Sequence, residues 1–535
     1  MATEAPKLRR SRSWLVRVAG VALLPCEEHL APLLETHQEK KEAGDFVGME
    51  AAQLQVLQSH PFVTSQSKAV PQAALADGVT CTAHNFRLNV REFQKWLKTA
   101  DGSPFHERGK GFDDGCYLTS ALLRAFLPRG YTHFTFTNTA GETQSEVLRG
   151  FLKFTGLTAT DEDEESGATG ATDAFMFHGR TRADASRFVV TVKSNGENGK
   201  YTARRVFGEW YCVAGSKTTG SVWRLGCNVS QVYPIPSGGD DSAQVGPKIV
   251  NHIDGILTDM PKDTRLPFLE ALSADSLMVM IEFNDPNSEH IFPIPEVKAD
   301  HVALLNRQGY PLPQQQTFAF FDRFGLQRVP CDAYDSMEDF DRVLTSTRAS
   351  IDTEGAVIYL ERNDGTPVGL VKVKSDHYVI ARRTRETMRS CLVNPVAKGA
   401  SIGNSLKKTR ERLKSGMKAL THVEGCAERH AEWTEFAVAF VSEWAAEYDA
   451  GNGATRTALT NEMKQKYGSR YFRFWSAWQR GERPDTDHLE TSPGNQEVEE
   501  LENINEASTG TQRGRGKGRG KGRGKGRGKG RGQGR

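Results

Sequence analysis

Lys193 is followed by Ser194, Asn195 and Gly196, and this lysine-turn unit is matched further along the chain by two others. Glu354-Gly355 heads the apolar run Ala356 to Leu360, and eighteen residues beyond Glu354 comes the alternating segment Val371-Lys372-Val373-Lys374. An amine, a carboxylate and a lysine pair in that order fit attack of the amine on phosphorus, with a nucleotide held covalently in between. The attack needs a neutral amine, whereas an ordinary lysine titrates at about 10.4. Neighbouring cations and partial burial lower that value, and the same cations stabilise a departing pyrophosphate. Lys372 and Lys374 share one face of a strand and can reach one phosphate, which leaves Val371 and Val373 facing the core. Asn195-Gly196 supplies a tight turn that exposes Lys193 and lets backbone approach a ligand. Taken singly, each unit also fits an ordinary role: a turn lysine, a surface carboxylate, the outer face of an edge strand. Lys-x-x-Gly recurs at Lys41-Glu42-Ala43-Gly44, so the ordered set, and no one motif, carries the reading.

Strands must hold such a set in place. Short alternating runs begin at about residue 85: Thr132 to Thr137, Phe188 to Val192, Gly208 to Val213, Leu277 to Phe283, Phe318 to Phe321, Val357 to Leu360 and Val368 to Val373. Gly, Asn and Asp separate them, the pattern of antiparallel sheets. The fold expected is α+β, with antiparallel sheets flanked by helices over 85–395. Residues 1–84 read as a leader and a helical extension. Arg9 to Arg17 with the apolar run to Leu24 loosely resembles an organelle-targeting segment, although Arg17 interrupts that run. Residues 159–173 are acidic and rich in Gly and Thr, the composition of a solvated insertion.

Beyond about residue 395 the strand pattern stops. Trp433, Phe436, Phe440, Trp444 and Tyr448, then Tyr471, Trp475 and Trp478, recur at helical spacing, so 396–480 reads as a small all-α C-terminal domain. An acidic linker spans 481–512. Residues 513–535 alternate Gly with Arg or Lys and have no apolar surface to bury, which predicts a disordered basic tail.

Further segments occur in an ordered series with the first three. They are Arg129-Gly130 before Phe134-Thr135-Phe136; Arg149-Gly150-Phe151-Leu152-Lys153-Phe154; Ser216-Lys217; Met280-Ile281-Glu282-Phe283; and Phe318-Ala319-Phe320-Phe321. In this series the chain resembles the covalent nucleotidyltransferase superfamily of ATP-dependent RNA ligases, DNA ligases and mRNA capping enzymes. Within it, the chain is most similar to the phage tRNA-repair type of RNA ligase. The usual Lys-x-Asp-Gly has Asn195 here, which keeps the turn and loses a carboxylate. Thr155 and Gly156 stand where the family's Lys-Phe-Phe-Asn segment ends in Phe-Asn.

The resemblance implies that Lys193 attacks ATP and carries AMP, that AMP passes to a 5′-phosphate RNA end, and that a 3′-hydroxyl then displaces it. It implies ATP contacts from Arg129, Lys153, Gly196, Lys217, Glu282, Phe320, Glu354, Lys372 and Lys374, with Glu282 on the ribose and Phe320 on a strand beneath the adenine. Mg²⁺ would be organised by Glu354. The alternatives are a capping guanylyltransferase or a DNA ligase of the same superfamily, or an RNA-binding adaptor whose nucleotidyltransferase fold is inactive. The rapid turn to helix after Lys374, where the other branches usually continue into a small β-barrel, favours the RNA ligase.

The formal net charge is +2, and the last 23 residues hold eleven Arg or Lys and no acid, so the remainder sums to 2 − 11 = −9. Such a body is no general polyanion binder, and positive charge for RNA must be local. Lys407, Lys408, Arg410, Arg412 and Lys414 form one candidate RNA-contacting face, equally readable as a solvated helix face. The eight cysteines include no C-x-x-C pair, which argues against a zinc ribbon or a disulfide framework and for a reducing compartment. No run of roughly 18 apolar residues is present, so no membrane partner is expected. A cytoplasmic or nuclear monomer is expected, acting on RNA with 5′-phosphate and 3′-hydroxyl ends that separate end-healing enzymes prepare.

Overall fold

A computed structural model describes residues 17–99, 113–157, 172–236, 241–286, 294–351 and 353–382 (apart from 380), together with 291, 411 and 452. The expected C-terminal helical domain, linker and basic tail lie outside the described residues. So do Lys407, Lys408, Arg410, Arg412 and Lys414, and most of the acidic insertion.

The chain opens with a small hairpin, β1 (Arg17–Val18) and β2 (Val21–Ala22), then helices α1 (Ala31–Glu42) and α2 (Phe46–Ser59). Leu23 and Leu24 are buried in an apolar cluster with Leu30, Leu34, Val56 and Leu57, so the second half of the leader-like run is core in this fold. Glu27 fixes this corner from inside: it accepts from Leu24 N at 2.9 Å and Ser120 Oγ at 2.5 Å, and pairs with His60 at 3.0 Å.

A four-stranded antiparallel sheet follows, in the order β3 (Val63–Ala69), β4 (Thr80–Leu88), β5 (Tyr131–Thr137) and β6 (Thr143–Leu148). Among the described residues between β4 and β5 are three helices: α3 (Val90–Thr99), α4 (Asp113–Thr119) and α5 (Ala121–Phe126). Strands therefore start earlier than the alternating texture indicates, and the boundary expected at 84/85 falls inside β4. Almost all of β3 is exposed, so its sequence has no apolar alternation to reveal it.

The remaining elements are β7 (Thr155–Gly156), β8 (Arg187–Val192), β9 (Glu197–Val206), β10 (Glu209–Ser216), β11 (Gly220–Arg224), α6 (Val229–Val232), α7 (Asp241–Asp259), α8 (Lys262–Ala274), β12 (Met278–Asn284), β13 (Lys298–Leu305), α9 (Gln314–Arg323), β14 (Cys331–Tyr334), α10 (Phe340–Ala349), β15 (Gly355–Glu361) and β16 (Pro367–Lys374). They make two five-stranded sheets, β14-β8-β15-β16-β7 and β11-β10-β9-β12-β13, antiparallel except where β7 joins β16. The architecture is mixed α+β, as expected.

Side-chain parity sets which way the first of these sheets faces. Phe188, Ile358, Leu360, Val371 and Val373 fill one cluster beside α10. Val189, Tyr359 and Leu370 point the other way, into the large core shared with β9 and β12. The residues in step with that second set are Lys193, Gly355, Lys372 and Lys374. Val371 and Val373 thus take the core-facing role the sequence assigned them.

One expected strand is a helix. Phe318 to Phe321 lies in α9, which follows Pro313 and ends at Gly325 (φ 66°), where Leu326 N–H donates back to Phe321 O at 2.9 Å. That left-handed glycine stop is a helix C-terminal signature, and Phe320 and Phe324 meet at one-turn spacing with ring centroids 4.9 Å apart. Aromatic density favoured a strand in the sequence, but the flanking Pro and Gly govern.

Candidate active site

Lys193 sits at the crossing between the two five-stranded sheets, directly after β8 and four residues before β9. Its N–H donates to Gly355 O at 2.9 Å, continuing the β8–β15 ladder. Gly355 in turn pairs with Lys374 across β15 and β16. The three segments found far apart in sequence are therefore one row on three adjacent strands, with neighbouring strands about 4.8 Å apart. Lys372 lies two residues back on the same face, opposite Val357 and beside Gly156 of β7.

Gly355 has no substitute in that row. Its φ of 129° is outside the usual range of L side chains, and a Cβ would collide with Val373 O while lying 2.9 Å from Lys374 Cα. Gly196 is constrained from the second sheet, where a Cβ would lie 2.5 Å from Phe283 O and 2.8 Å from Asn284 Oδ1. The Asn195-Gly196 turn is therefore packed against the end of β12 as well as turning the chain. Ser194 adds a tie, donating its hydroxyl to Asp300 at 3.2 Å. Asp300 is buried and also accepts from Asn284 at 3.0 Å and Gln327 at 3.1 Å.

Lys193 Nζ lies 2.9 Å from Glu354 Oε2, and the two side chains are 23% and 9% exposed. Burial by itself disfavours the ammonium. The Glu354 and Glu282 carboxylates and the Tyr378 phenol outweigh burial and hold the Lys193 pKa above the ordinary lysine range. The expectation that Lys372 and Lys374 depress it is overturned in this state, because carboxylates dominate around the amine. Glu282 on β12 shares its sheet face with its neighbour Asn198 and, two residues along, with Met280 and Lys200. Lys374 is buried with its ammonium 5.4 Å from the Tyr378 ring centroid.

A second group gathers beside this row. Arg129 N–H donates to Phe151 O at 3.0 Å, bringing the Arg129-Gly130 segment against the Arg149–Phe154 segment. A Cβ on Gly130 (φ 73°) would collide with Lys200 Nζ and lie 2.7 Å from Lys217 O. Arg129-Gly130, Gly150, Lys200 and Ser216-Lys217 thus converge. Lys200 is a residue the sequence reading missed. It is fully buried on β9, donates to Ser216 O, and burial pulls its pKa down to about 7. The surrounding Gly-Glu-Asn-Gly-Lys reads as a polar turn, and only tertiary packing makes this lysine special.

One expected contact is placed elsewhere. Phe320 packs against Phe268 of α8, ring centroids 5.8 Å apart, and Phe268 in turn faces Tyr201. Tyr201 and Lys200 are consecutive on β9, so Phe320 belongs to the helix-covered side of the sheet opposite Glu282 and cannot lie beneath a nucleotide at Lys193. Lys153 is buried between Phe151, bonded to Arg129, and Thr155-Gly156, paired with Val371-Lys372, and it also lines a cavity under the N-terminal helices.

Among the described residues no group of three or more His, Cys, Asp or Glu could hold a metal ion. Mg²⁺ needs no such group, since it commonly takes one or two protein carboxylates and completes its shell with phosphate and water. Glu354, with Glu282 near the same amine, fits that donor set. Cys26, Cys81, Cys212, Cys227 and Cys331 carry free thiols. No helix of the described residues is long and apolar enough to cross a membrane.

No protein-family model matches the chain, and no curated protein matches it significantly. Among solved structures, it is similar to an archaeal ATP-dependent RNA ligase in two forms. The first is 18% identical with a TM-score of 0.35, over 65% of this chain and 83% of that one. The second is 15% identical with a TM-score of 0.35, over 71% and 100%. A Naegleria gruberi RNA ligase mutant with ATP and Mn is 14% identical with a TM-score of 0.24, over 37% and 52%. Each superposition covers only part of this chain.

Proposed function

We propose that the chain is an ATP-dependent RNA ligase that carries AMP on Lys193. The observation that supports it most directly is the row Lys193–Gly355–Lys374, with Glu354 2.9 Å from the amine that must react. In the first step Lys193 Nζ gives a proton to Glu354 and, as a neutral amine, attacks the α-phosphorus of ATP; an N–P bond forms, the nitrogen releases a second proton to solvent and the bond to pyrophosphate breaks. Lys372 and Lys374, fixed on one strand face, offset the charge leaving with pyrophosphate. Arg129 and Lys217, of the neighbouring cluster, add positive charge for the phosphates, and Glu282 takes a ribose hydroxyl.

In the second step an oxygen of a 5′-phosphate RNA end attacks the AMP phosphorus, the N–P bond breaks and the amine regains a proton. In the third a 3′-hydroxyl attacks the activated 5′-phosphate and AMP leaves. Mg²⁺ held through Glu354 would supply neutralising charge on the phosphates. The choice of RNA over DNA rests on the motif resemblance.

The test is joining of a 5′-phosphorylated RNA by the full chain with ATP and Mg²⁺, with matched nicked DNA and GTP as controls. Joining of RNA with ATP is expected. Preferential sealing of DNA, or labelling by GTP in place of ATP, would move the protein to another branch of the superfamily; no labelling at all would support an inactive RNA-binding adaptor.

A further inference from the structure

A cavity of about 660 Å³ opens between the β1–β2 hairpin, α1, α5 and the segment 173–179. Among the described residues its lining contains five Lys or Arg (Arg17, Lys41, Arg124, Arg149 and Lys153) against one acid, Asp173. Asp173 is already drawn outward to Arg182, at 3.5 Å, and Arg149 is committed to Glu50 at 3.1 Å. Arg124 donates to Tyr117 O at 2.5 Å and Leu118 O at 2.7 Å, while Arg17 and Lys41 form no ion pair among the described residues, in a chain whose body is acidic overall.

Aromatic groups meet those cations. His178 lies on Tyr310 with ring centroids 4.2 Å apart, Phe177 meets Tyr310 edge-on at 5.2 Å, and Arg124 sits 5.9 Å from the Phe175 ring. His178 adopts the left-handed region (φ 56°, ψ 30°), a strained conformation for a residue other than glycine and one that clusters at binding sites. His37 lines the opposite side against Phe126 at 4.7 Å. Burial and then Lys41 and Arg149 lower its pKa to about 4, and burial with Arg180 and Lys41 lowers that of His178. Both rings are thus neutral beside the cations, suited to hydrogen bonding and stacking.

We propose that this cavity binds a phosphomonoester-bearing nucleotide, with Lys41 and Arg17 on the phosphate and the Tyr310–His178 pair stacked on the base. Cations for phosphate and aromatic faces for a base are the combination that single nucleotides and strand ends require. The site is separate from the Lys193 row and does not depend on Lys193 accepting AMP. The ligand comes either as a free mononucleotide or as the phosphorylated end of an RNA strand.

The test uses the full chain with Lys193→Ala, titrated calorimetrically with 5′-AMP, adenosine, a 5′-phosphorylated RNA decamer and its 5′-hydroxyl form. At least one phosphorylated ligand is expected to bind tenfold or more tightly than its unphosphorylated partner. Lys41→Glu and Tyr310→Ala should each weaken that binding at least tenfold, and photolysis with 8-azido-AMP or an azido-labelled decamer should mark the peptides bearing His178 or Tyr310. Preference for AMP identifies a free nucleotide as the source, and preference for the decamer a strand end. In the Lys193-containing chain, Lys41→Glu should leave ATP-dependent AMP labelling within twofold. Absent labelling in parent and variant alike would sink the ligase reading and leave this one standing. Equal binding of phosphorylated and unphosphorylated ligands, or binding unmoved by both substitutions, would overturn the cavity assignment.

Discussion

The Lys193 row and the cavity under the N-terminal helices are both rich in basic side chains, yet they are built on different principles. The row stands on three hydrogen-bonded strands, and acids answer its cations: Glu354 touches Lys193 and Glu282 lies within electrostatic reach. The cavity is formed where a hairpin, helices and a strained turn meet, and Asp173, the one acid among its described lining residues, contacts Arg182. The lesson is that a cation meant to react is kept paired until its substrate arrives, while Arg17 and Lys41, with no ion pair among the described residues, are open to an anion. Removing a part of the row should therefore damage fold and chemistry together, whereas removing a part of the cavity should change binding alone.

The largest effect is expected at Gly355. Gly355→Ala brings backbone strain and a collision with Val373 O, together about 2–6 kcal/mol. Denaturant unfolding should show that loss, and AMP labelling should vanish with it. A variant as stable as the parent would show that the three strands do not form this row.

Glu354→Gln comes next. Stability should fall by about 2–3 kcal/mol, between values typical of exposed and of buried pairs. A lysine whose folded pKa exceeds its unfolded value contributes stability that is fully present below about pH 10.4 and lost as pH rises through the folded value. The loss on substitution should accordingly be flat from pH 6 to 9. Over that range Lys193 should become more reactive toward an amine-specific reagent, since burial then acts without the opposing carboxylate. Unchanged reactivity would mean Glu354 does not govern the amine.

Lys200 has the opposite sign. Its folded pKa of about 7 lies below the unfolded value, so the cost of burying it is full below pH 7 and is relieved as pH rises toward the unfolded pKa. Lys200→Met should stabilise the protein more at pH 6 than at pH 9, by a difference on the order of 2 kcal/mol. A pH-independent difference would contradict a buried, readily neutralised lysine. The smallest effect is expected at Phe320: Phe320→Ala should cost about 1–2 kcal/mol for a half-buried ring and leave the KM for ATP unchanged. A raised KM would restore the nucleotide contact that its place in α9 denies it.

Much of the row was legible because strand parity is a local code. Phe188, Val189, Val371 and Val373 alternate as their sequence does, and the same alternation carries Lys372 and Lys374 to one face. Adjacency of β8, β15 and β16 is not encoded locally; there the ordered motifs substituted for geometry. The failures have equally particular causes. β3 is an exposed strand with a polar sequence, and Phe318 to Phe321 carries β-favouring residues inside helix punctuation. Lys200 and the cavity depend on packing between distant segments. The charge state of Lys193 was misjudged because Glu354, recognised in sequence as a phosphate-site residue, contacts the amine directly in the fold.

Peptide mapping by mass spectrometry, after the full chain is incubated with ATP and Mg²⁺, tests the central claim most directly. One AMP on the peptide containing Lys193, absent from Lys193→Ala, is the result predicted. An unmodified chain, or AMP attached at another residue, would contradict the assignment of Lys193 as the nucleotide carrier.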